Sequence, residues 1–248
     1  MQSSPLVIEA TGNNWRRPVI GAVSAGLVCA LWTALVGIGW LSGPDHWVAR
    51  WVASTDRGTL DRLASAGSLL FGIAGIAGLA LSACVIFRLW RRWMAPTVLV
   101  LALLFSAAAE RGLRAAFVQP TNPDVRTASF GRAESQSNGL ATMAPRASLP
   151  QLGVPDARHS YPSGHMALAA ALFVALLQPL PRHPRIPALL AIALALLVCW
   201  GGWAEVYRGS HLFSDVAGGL LLGATIAMLI IAASLRFDTL TVQRRSGR

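Results

Sequence analysis

The chain has 248 residues, of which 54% are hydrophobic and 13% are charged, and its formal net charge is +10. Ordinary soluble domains carry roughly 25% charged residues, so this composition excludes an ordinary soluble globular protein. All of the basic residues are arginines, and they lie mostly beside apolar runs, where they mark membrane topology. We therefore expect membrane lipids as the surroundings of this protein and no nucleic-acid partner.

Six apolar windows follow one another along the chain, each close to the ~20 residues that cross a ~30 Å hydrocarbon core. They lie at 18–42, 65–87, 95–118, 164–181, 186–207 and 211–235. These windows predict an all-α, polytopic membrane protein, a six-transmembrane-helix bundle in which residues 1–248 form a single membrane domain. The segment 43–64 carries Trp47 and Trp51 at helical spacing and is predicted to lie along the outer membrane interface.

Small residues recur inside the windows. Gly219 and Gly223 are four positions apart in the last window, a pattern typical of helices that approach closely in lipid. The three cysteines, Cys29, Cys84 and Cys199, also lie within windows and have no metal-ligand spacing. We interpret both sets as packing residues.

Arginines accumulate on one side of the predicted helices: before the first window, after the second, after the fourth and after the last. The positive-inside rule makes this side cytoplasmic. We expect a multi-pass protein of the bacterial inner (cytoplasmic) membrane with a cytoplasmic N-terminal segment, 1–17, and a cytoplasmic tail, 237–248. The first window is longer than the core of a signal peptide, so we expect it to be retained.

The segment 119–162 joins the third and fourth windows on the outer side. It is rich in Pro, Gly, Ser, Asn and Ala, which predicts little regular structure. Long connections in compact proteins are often covers over a functional site. Two interpretations remain open here, a flexible connector and a mobile cover.

Ionisable residues gather at the predicted helix ends on the outer side. They are Glu110, Arg111, Arg114, His165, Glu205, Arg208, His211 and Asp215. Charged groups are costly within the membrane and usually mark function there. Their convergence at one membrane level predicts an active site that faces the periplasm or exterior.

The spacing of these residues suits phosphoryl transfer. His211 and Asp215 share a helix face, so the carboxylate can hold one imidazole nitrogen and leave the other as a base or nucleophile. Ser163 and Gly164 stand at a helix start, where free N–H groups favour an anion, and His165 follows directly. Arginines nearby supply donors for phosphate oxygens. We predict a phosphohistidine reaction that needs neither a metal nor another cofactor.

The motifs "PSGH" and, 46 residues later, "HLFSD" resemble those of the type 2 phosphatidic acid phosphatase superfamily, membrane lipid phosphatases related to vanadium haloperoxidases. The resemblance covers the third to sixth predicted helices. It implies a lipid phosphate substrate, with His211 attacking phosphorus, Asp215 orienting His211 and His165 protonating the leaving oxygen. It also implies that Ser163 and Gly164 bind phosphate. It does not indicate an oligomeric state.

Two motifs depart from the family pattern. The third motif of the family has an arginine six residues before the nucleophilic histidine, where this chain has Glu205. The first motif has a lysine and then Arg-Pro, and here Arg114 stands in the lysine place and Thr121 in the arginine place. We expect Arg111, Arg114 and Arg208 to bind phosphate instead. Glu205 is then expected to pair with an arginine and to orient that arginine toward the phosphate.

Three functions remain compatible with these residues. We prefer an outer-face lipid phosphatase or phosphotransferase that acts on polyprenyl diphosphate, phosphatidylglycerol phosphate, phosphatidic acid or lipid A phosphate. The second is a catalytically degenerate member that binds a lipid phosphate or has a structural role. The third is an intramembrane serine protease. Two residues argue against it: Tyr161 stands where the Gly-x-Ser-Gly motif has its first glycine, and Asp215 adds a charge that a Ser–His dyad does not need.

Overall fold

The structure, a computed structural model, describes residues 15–54, 58–89, 94–117, 160–177 and 185–246. Regular secondary structure in these residues is entirely helical, which confirms the predicted all-α class. The helices are α1 (Arg16–Gly37), α2 (Ser42–Ser54), α3 (Gly58–Phe71), α4 (Ile73–Leu89), α5 (Met94–Ala116), α6 (Gly164–Leu177), α7 (Arg185–Tyr207) and α8 (Phe213–Ser246).

The helices have the length and apolarity of membrane spans. Within the described residues, four helices are each long and apolar enough to cross a bilayer: α1, α5, α7 and α8. The bent pair of α3 and α4 is a fifth candidate span. Helix α6 is apolar but has only 14 residues. Apolar side chains such as Leu27 and Leu31 of α1 point outward, 68% and 61% exposed, as lipid contact requires. The chain is a multi-pass membrane protein, and six spans stay a prediction.

The second predicted helix, 65–87, is wrong as a single straight element. The chain forms α3 and α4 instead, whose axes differ by 55°. Gly72 lies between them, and glycine has a low helix propensity, so the bend falls where helix continuation is weakest.

The predicted end of the last helix, at 235, is also wrong, because α8 continues to Ser246. Hydropathy marks where a chain leaves the membrane, whereas a helix stops at residues such as Gly or Pro, and neither occurs in 236–245. The predicted outer segment 119–162 lies outside the described residues except for 160–162, as do 1–14 and 247–248.

Helix α8 is the centre of the bundle and packs along α6, α1 and α5. The contact with α6 is a close backbone approach, as the small-residue pattern predicts. A Cβ atom at Gly223 would lie 2.7 Å from the carbonyl carbon of Ala167, and one at Gly219 would collide with the carbonyl oxygen of Ser163. This packing holds the first turns of α6 and α8 side by side.

Candidate active site

A cavity of about 600 Å³ lies where the end of α5, the start of α6 and the α7–α8 connection meet, with α3 along one side. Its polar and charged lining residues are Ser68, Glu110, Arg111, Arg114, Ser160, His165, Glu205, Ser210 and His211. Gly164 lines it as well. The structure therefore brings most of the predicted site residues to one place.

The turn between α7 and α8 places two of these residues together. The N–H of Ser210 donates to the carbonyl of Glu205, and the N–H of Gly209 donates to the carbonyl of Val206, both at 3.0 Å. With Gly209 at a φ of 73°, this is the hydrogen-bond pattern of a glycine-terminated helix, in which the residue after the helix takes a left-handed conformation. The chain reverses there, so Glu205 and His211 line the same cavity.

His211 is paired with a buried carboxylate. Its Nδ1 lies 3.5 Å from Oδ2 of Asp215, and the Asp215 side chain has no solvent exposure. The same carboxylate oxygen accepts a hydrogen bond from the N–H of Leu212 at 3.1 Å. The i, i+4 pairing that the sequence predicts is therefore present as an ion-pair contact, although Nδ1 of His211 makes no hydrogen bond within the described residues.

Asp45, on α2, anchors the first turn of α8. Its carboxylate accepts hydrogen bonds from the backbone N–H of Ser214 at 2.9 Å and from the Ser214 hydroxyl at 2.7 Å. Burial raises the pKa of Asp45 to about 6, although the two hydrogen bonds from Ser214 lower it. Sequence reasoning missed this residue, because one acid in a segment of mixed charge carries no signal for a contact 169 positions away.

The start of α6 is fixed from two sides. The N–H of Ser163 donates to the carbonyl of Asp215 at 2.9 Å, and the Arg114 guanidinium donates to the carbonyl of Pro162 at 3.0 Å. The Ser163 hydroxyl is fully buried and, within the described part of the chain, has no hydrogen-bond partner. Ser163 does not line the cavity, whereas its predicted companion Gly164 does. Because the Ser163 hydroxyl makes no hydrogen bond to a histidine of the described residues, the structure argues against the protease interpretation.

The predicted arginines divide into two groups. Arg111 and Arg114 line the cavity, and Nη2 of Arg114 lies 2.7 Å from Oε1 of Glu110. The Glu110 carboxylate is next to Gly164, since a Cβ atom there would be 3.1 Å from the carboxyl carbon. Arg208 does not line the cavity and instead donates to the Ser65 hydroxyl of α3 at 3.4 Å.

The partners of Glu205 are not the arginine that the sequence predicted. Its Oε1 accepts a hydrogen bond from the Ser68 hydroxyl at 3.2 Å, and its Oε2 lies 3.9 Å from Nδ1 of His165. The Glu205 residue is 3% exposed. Glu205 contacts both α3 and the start of α6, whereas Arg208 donates to α3 at Ser65, so the contacts described for Glu205 are a serine and a histidine. Sequence reasoning missed Ser68, because nothing in the pattern of α3 indicates which helix it faces.

His165, Glu205 and His211 form a compact cluster. One possible ligand atom from each residue lies within 4.8 Å of the others. Two imidazoles and a carboxylate in this arrangement can move protons, attack an electrophile or bind a cation.

The comparisons with known proteins identify the family and the fold of this chain. The model of the PAP2 superfamily matches residues 97–238, more than half of the chain, and the match includes both histidines of the cavity. The chain is similar to a solved structure described as the first transmembrane PAP2 type phosphatidylglycerolphosphate phosphatase from Bacillus subtilis, with a TM-score of 0.57 and 17% identity. That similarity covers 85% of this chain and 94% of the other, and at this identity it shows the fold. No curated protein matches the chain. The chain belongs to the PAP2 superfamily, as the two histidine motifs indicate.

Proposed function

We propose that this protein is a lipid phosphatase of the outer membrane face that hydrolyses a lipid phosphate through a phosphohistidine on His211. The observation that supports this proposal is the pairing of His211 with the buried carboxylate of Asp215 in a cavity that also holds His165. The cavity lies at the ends of apolar helices, where a lipid anchored in the bilayer presents its headgroup.

The reaction has two steps. In the first, the free ring nitrogen of His211 attacks phosphorus, the bond to the lipid oxygen breaks, and His165 gives its proton to that oxygen. Asp215 stabilises the positive charge that His211 acquires. In the second step, water attacks the phosphohistidine and gives its proton to His165. Inorganic phosphate leaves, and both histidines return to their starting states without a metal or other cofactor.

The phosphate is proposed to take the place of Glu110. This carboxylate now lies beside the N-terminus of α6, a position that favours an anion, and pairs with Arg114. A phosphate in that position would accept hydrogen bonds from Arg114 and Arg111 and would displace the Glu110 carboxylate. Replacing the carboxylate by an amide, in Glu110→Gln, should therefore lower KM, because the competing negative charge is removed.

Glu205 is proposed to position His165, since its carboxylate is held by Ser68 and lies 3.9 Å from Nδ1 of His165. The same observation favours a second candidate function. A buried carboxylate beside the two histidines repels a phosphate, so a catalytically degenerate member that only binds lipid phosphate is the alternative.

The substrate class is a membrane lipid with a terminal phosphate. The solved relative from Bacillus subtilis is described as a phosphatidylglycerolphosphate phosphatase, so phosphatidylglycerol phosphate is the first lipid to test. Polyprenyl diphosphate, phosphatidic acid and lipid A phosphate present the same chemical group and complete the panel.

The test is phosphate release from this panel by the purified protein in detergent, after treatment with a chelator. His211→Ala should abolish turnover, and His165→Ala should reduce it by about 10²- to 10⁴-fold, most strongly with poor leaving groups. Asp215→Asn should reduce turnover by weakening the orientation of the imidazole. A lipid labelled with ³²P should leave an acid-labile, alkali-stable label on the wild type and none on His211→Ala.

The matched control is His46→Ala, which removes a histidine of α2 that does not line the cavity. Turnover of this variant should equal that of the wild type. A wild type that binds the lipids but releases no phosphate, while the double variant Glu205→Arg with Thr121→Arg does release it, would establish the degenerate alternative. Thr121 lies outside the described residues.

A further inference from the structure

We propose that His165, Glu205 and His211 form a binding site for a transition-metal ion of the Zn²⁺ class, and that a bound ion switches off the phosphohistidine reaction. The site arises from Glu205, which places a carboxylate beside the two histidines of the proposed reaction.

The separations of the ligand atoms suit a small cation. They lie within 4.8 Å of one another. Ligands at about 2.0–2.1 Å from a tetrahedral Zn²⁺ ion are roughly 3.4 Å apart, so small side-chain rotations close the cluster around an ion. Two imidazoles and one carboxylate are a ligand set of zinc hydrolases, and they leave the fourth position for water or a phosphate oxygen.

The surrounding contacts already orient two of the ligands. Asp215 lies 3.5 Å from Nδ1 of His211, so an ion would take Nε2, the ring nitrogen that is not beside that carboxylate. The Ser68 hydroxyl donates to one oxygen of Glu205 and leaves the other for the ion. Metal sites commonly combine a ligating histidine with a carboxylate on its other nitrogen, and ligating carboxylates are themselves hydrogen-bonded.

The charge and the ligand types select the class of ion. Glu205 is 3% exposed, and its described contacts are a neutral hydroxyl and an imidazole, so a divalent cation would compensate a buried negative charge. Imidazole nitrogens favour Zn²⁺ and Co²⁺, whereas Mg²⁺ and Ca²⁺ prefer sites made of oxygen alone.

The inhibitory consequence rests on the proposed function, whereas the metal site does not. An ion in this cluster occupies the nitrogen of His211 that would attack phosphorus and the nitrogen of His165 that would carry the proton. Bound metal and phosphohistidine formation therefore exclude each other. Metal and substrate should compete for the same cavity.

Binding is tested first, without any substrate. Chelator-treated protein in detergent is titrated with Co²⁺, whose visible absorption reports nitrogen and oxygen ligands in a low-coordinate site, and the bound metal is quantified by elemental analysis. We expect one ion per chain. Glu205→Gln should weaken binding at least about 10-fold, and Asp215→Asn by about 10- to 100-fold, as loss of an outer contact does. Mg²⁺ and Ca²⁺ should not displace Co²⁺.

Glu110→Gln is the matched control, because it makes the same change to another carboxylate of the same cavity that is outside the cluster. Its Co²⁺ affinity should equal that of the wild type. Absence of stoichiometric Co²⁺ binding, or equal binding by the wild type and Glu205→Gln, would overturn the proposed site.

The inhibitory effect is tested by phosphate release. Zn²⁺ should inhibit the chelator-treated enzyme, lipid substrate should relieve the inhibition competitively, and chelator should reverse it. Phosphate release that Zn²⁺ leaves unchanged or raises would overturn the exclusion. Intact Co²⁺ binding in a protein that releases no phosphate with or without chelator would refute the phosphatase proposal and support the metal site.

Discussion

The close approach of α6 and α8 makes Gly223→Ala the most informative packing variant. The added Cβ atom would lie 2.7 Å from the carbonyl carbon of Ala167 and 2.9 Å from its Cα, both backbone atoms that no side-chain rotation can move. Non-bonded carbon atoms rest about 3.5–4.0 Å apart. The two helices must therefore separate by roughly 1 Å at this level.

This separation has two measurable consequences. Overpacking of this kind costs about 1–3 kcal/mol of stability, so the melting temperature should fall. His165 is two residues from Ala167 on α6, whereas Asp215, which contacts His211, lies in the first turn of α8. A misplacement of about 1 Å between reacting groups can cost about 10²-fold in rate. We expect phosphate release to fall by about 10- to 100-fold.

The assay compares Gly223→Ala with Gly78→Ala, a helical glycine of α4 whose added Cβ atom has nothing within 4 Å. Alanine is the better helix former by about 1 kcal/mol, so Gly78→Ala should keep or raise the melting temperature and leave phosphate release unchanged. Wild-type stability and activity in Gly223→Ala would refute the close approach of the two backbones and, with it, the explanation of how the histidines are brought together.

Three further predictions concern topology, pH and the α7–α8 turn. A reporter fused after Arg248 should be cytoplasmic and one inserted near Asn138 periplasmic, and finding both on one side would refute the predicted orientation. Because burial raises the pKa of Asp45 from 3.8 to about 6, its contribution to stability is present below pH 3.8 and lost as the pH rises through about 6. The melting temperature of the wild type should therefore fall relative to that of Asp45→Asn between these values, and parallel pH profiles of the two proteins would contradict this. Gly209 has a φ of 73°, so Gly209→Ala should lose about 1–2 kcal/mol of stability and should also release less phosphate. Gly39 has a φ of 74° but lies away from the cavity, so Gly39→Ala should lose stability alone. Equal phosphate release by the two variants would contradict a role of the α7–α8 turn in activity.

The relations between neighbours in sequence could be predicted without the structure. The apolar windows predict a helical membrane protein because length and hydropathy are properties of one segment. His211 and Asp215 share a helix face for the same local reason, as do the glycines of α8. The positive φ at Gly209 is also predictable from the local sequence, since a glycine just after a helix favours this turn.

The partners of the charged residues depended on the tertiary structure. Glu205 was expected to meet an arginine, but it lies between Ser68 and His165, and Arg114 pairs with Glu110. A one-dimensional pattern gives the side-chain positions around each helix axis but not the rotation of one helix relative to another. That rotation is decided by packing, here by the contact of Gly223 with the backbone of α6, and the break at Gly72 changes the direction of α3. The sequence by itself therefore determined which groups reach the end of the bundle, and the tertiary structure decided which of them touch, because helix rotation depends on contacts between residues far apart in the chain.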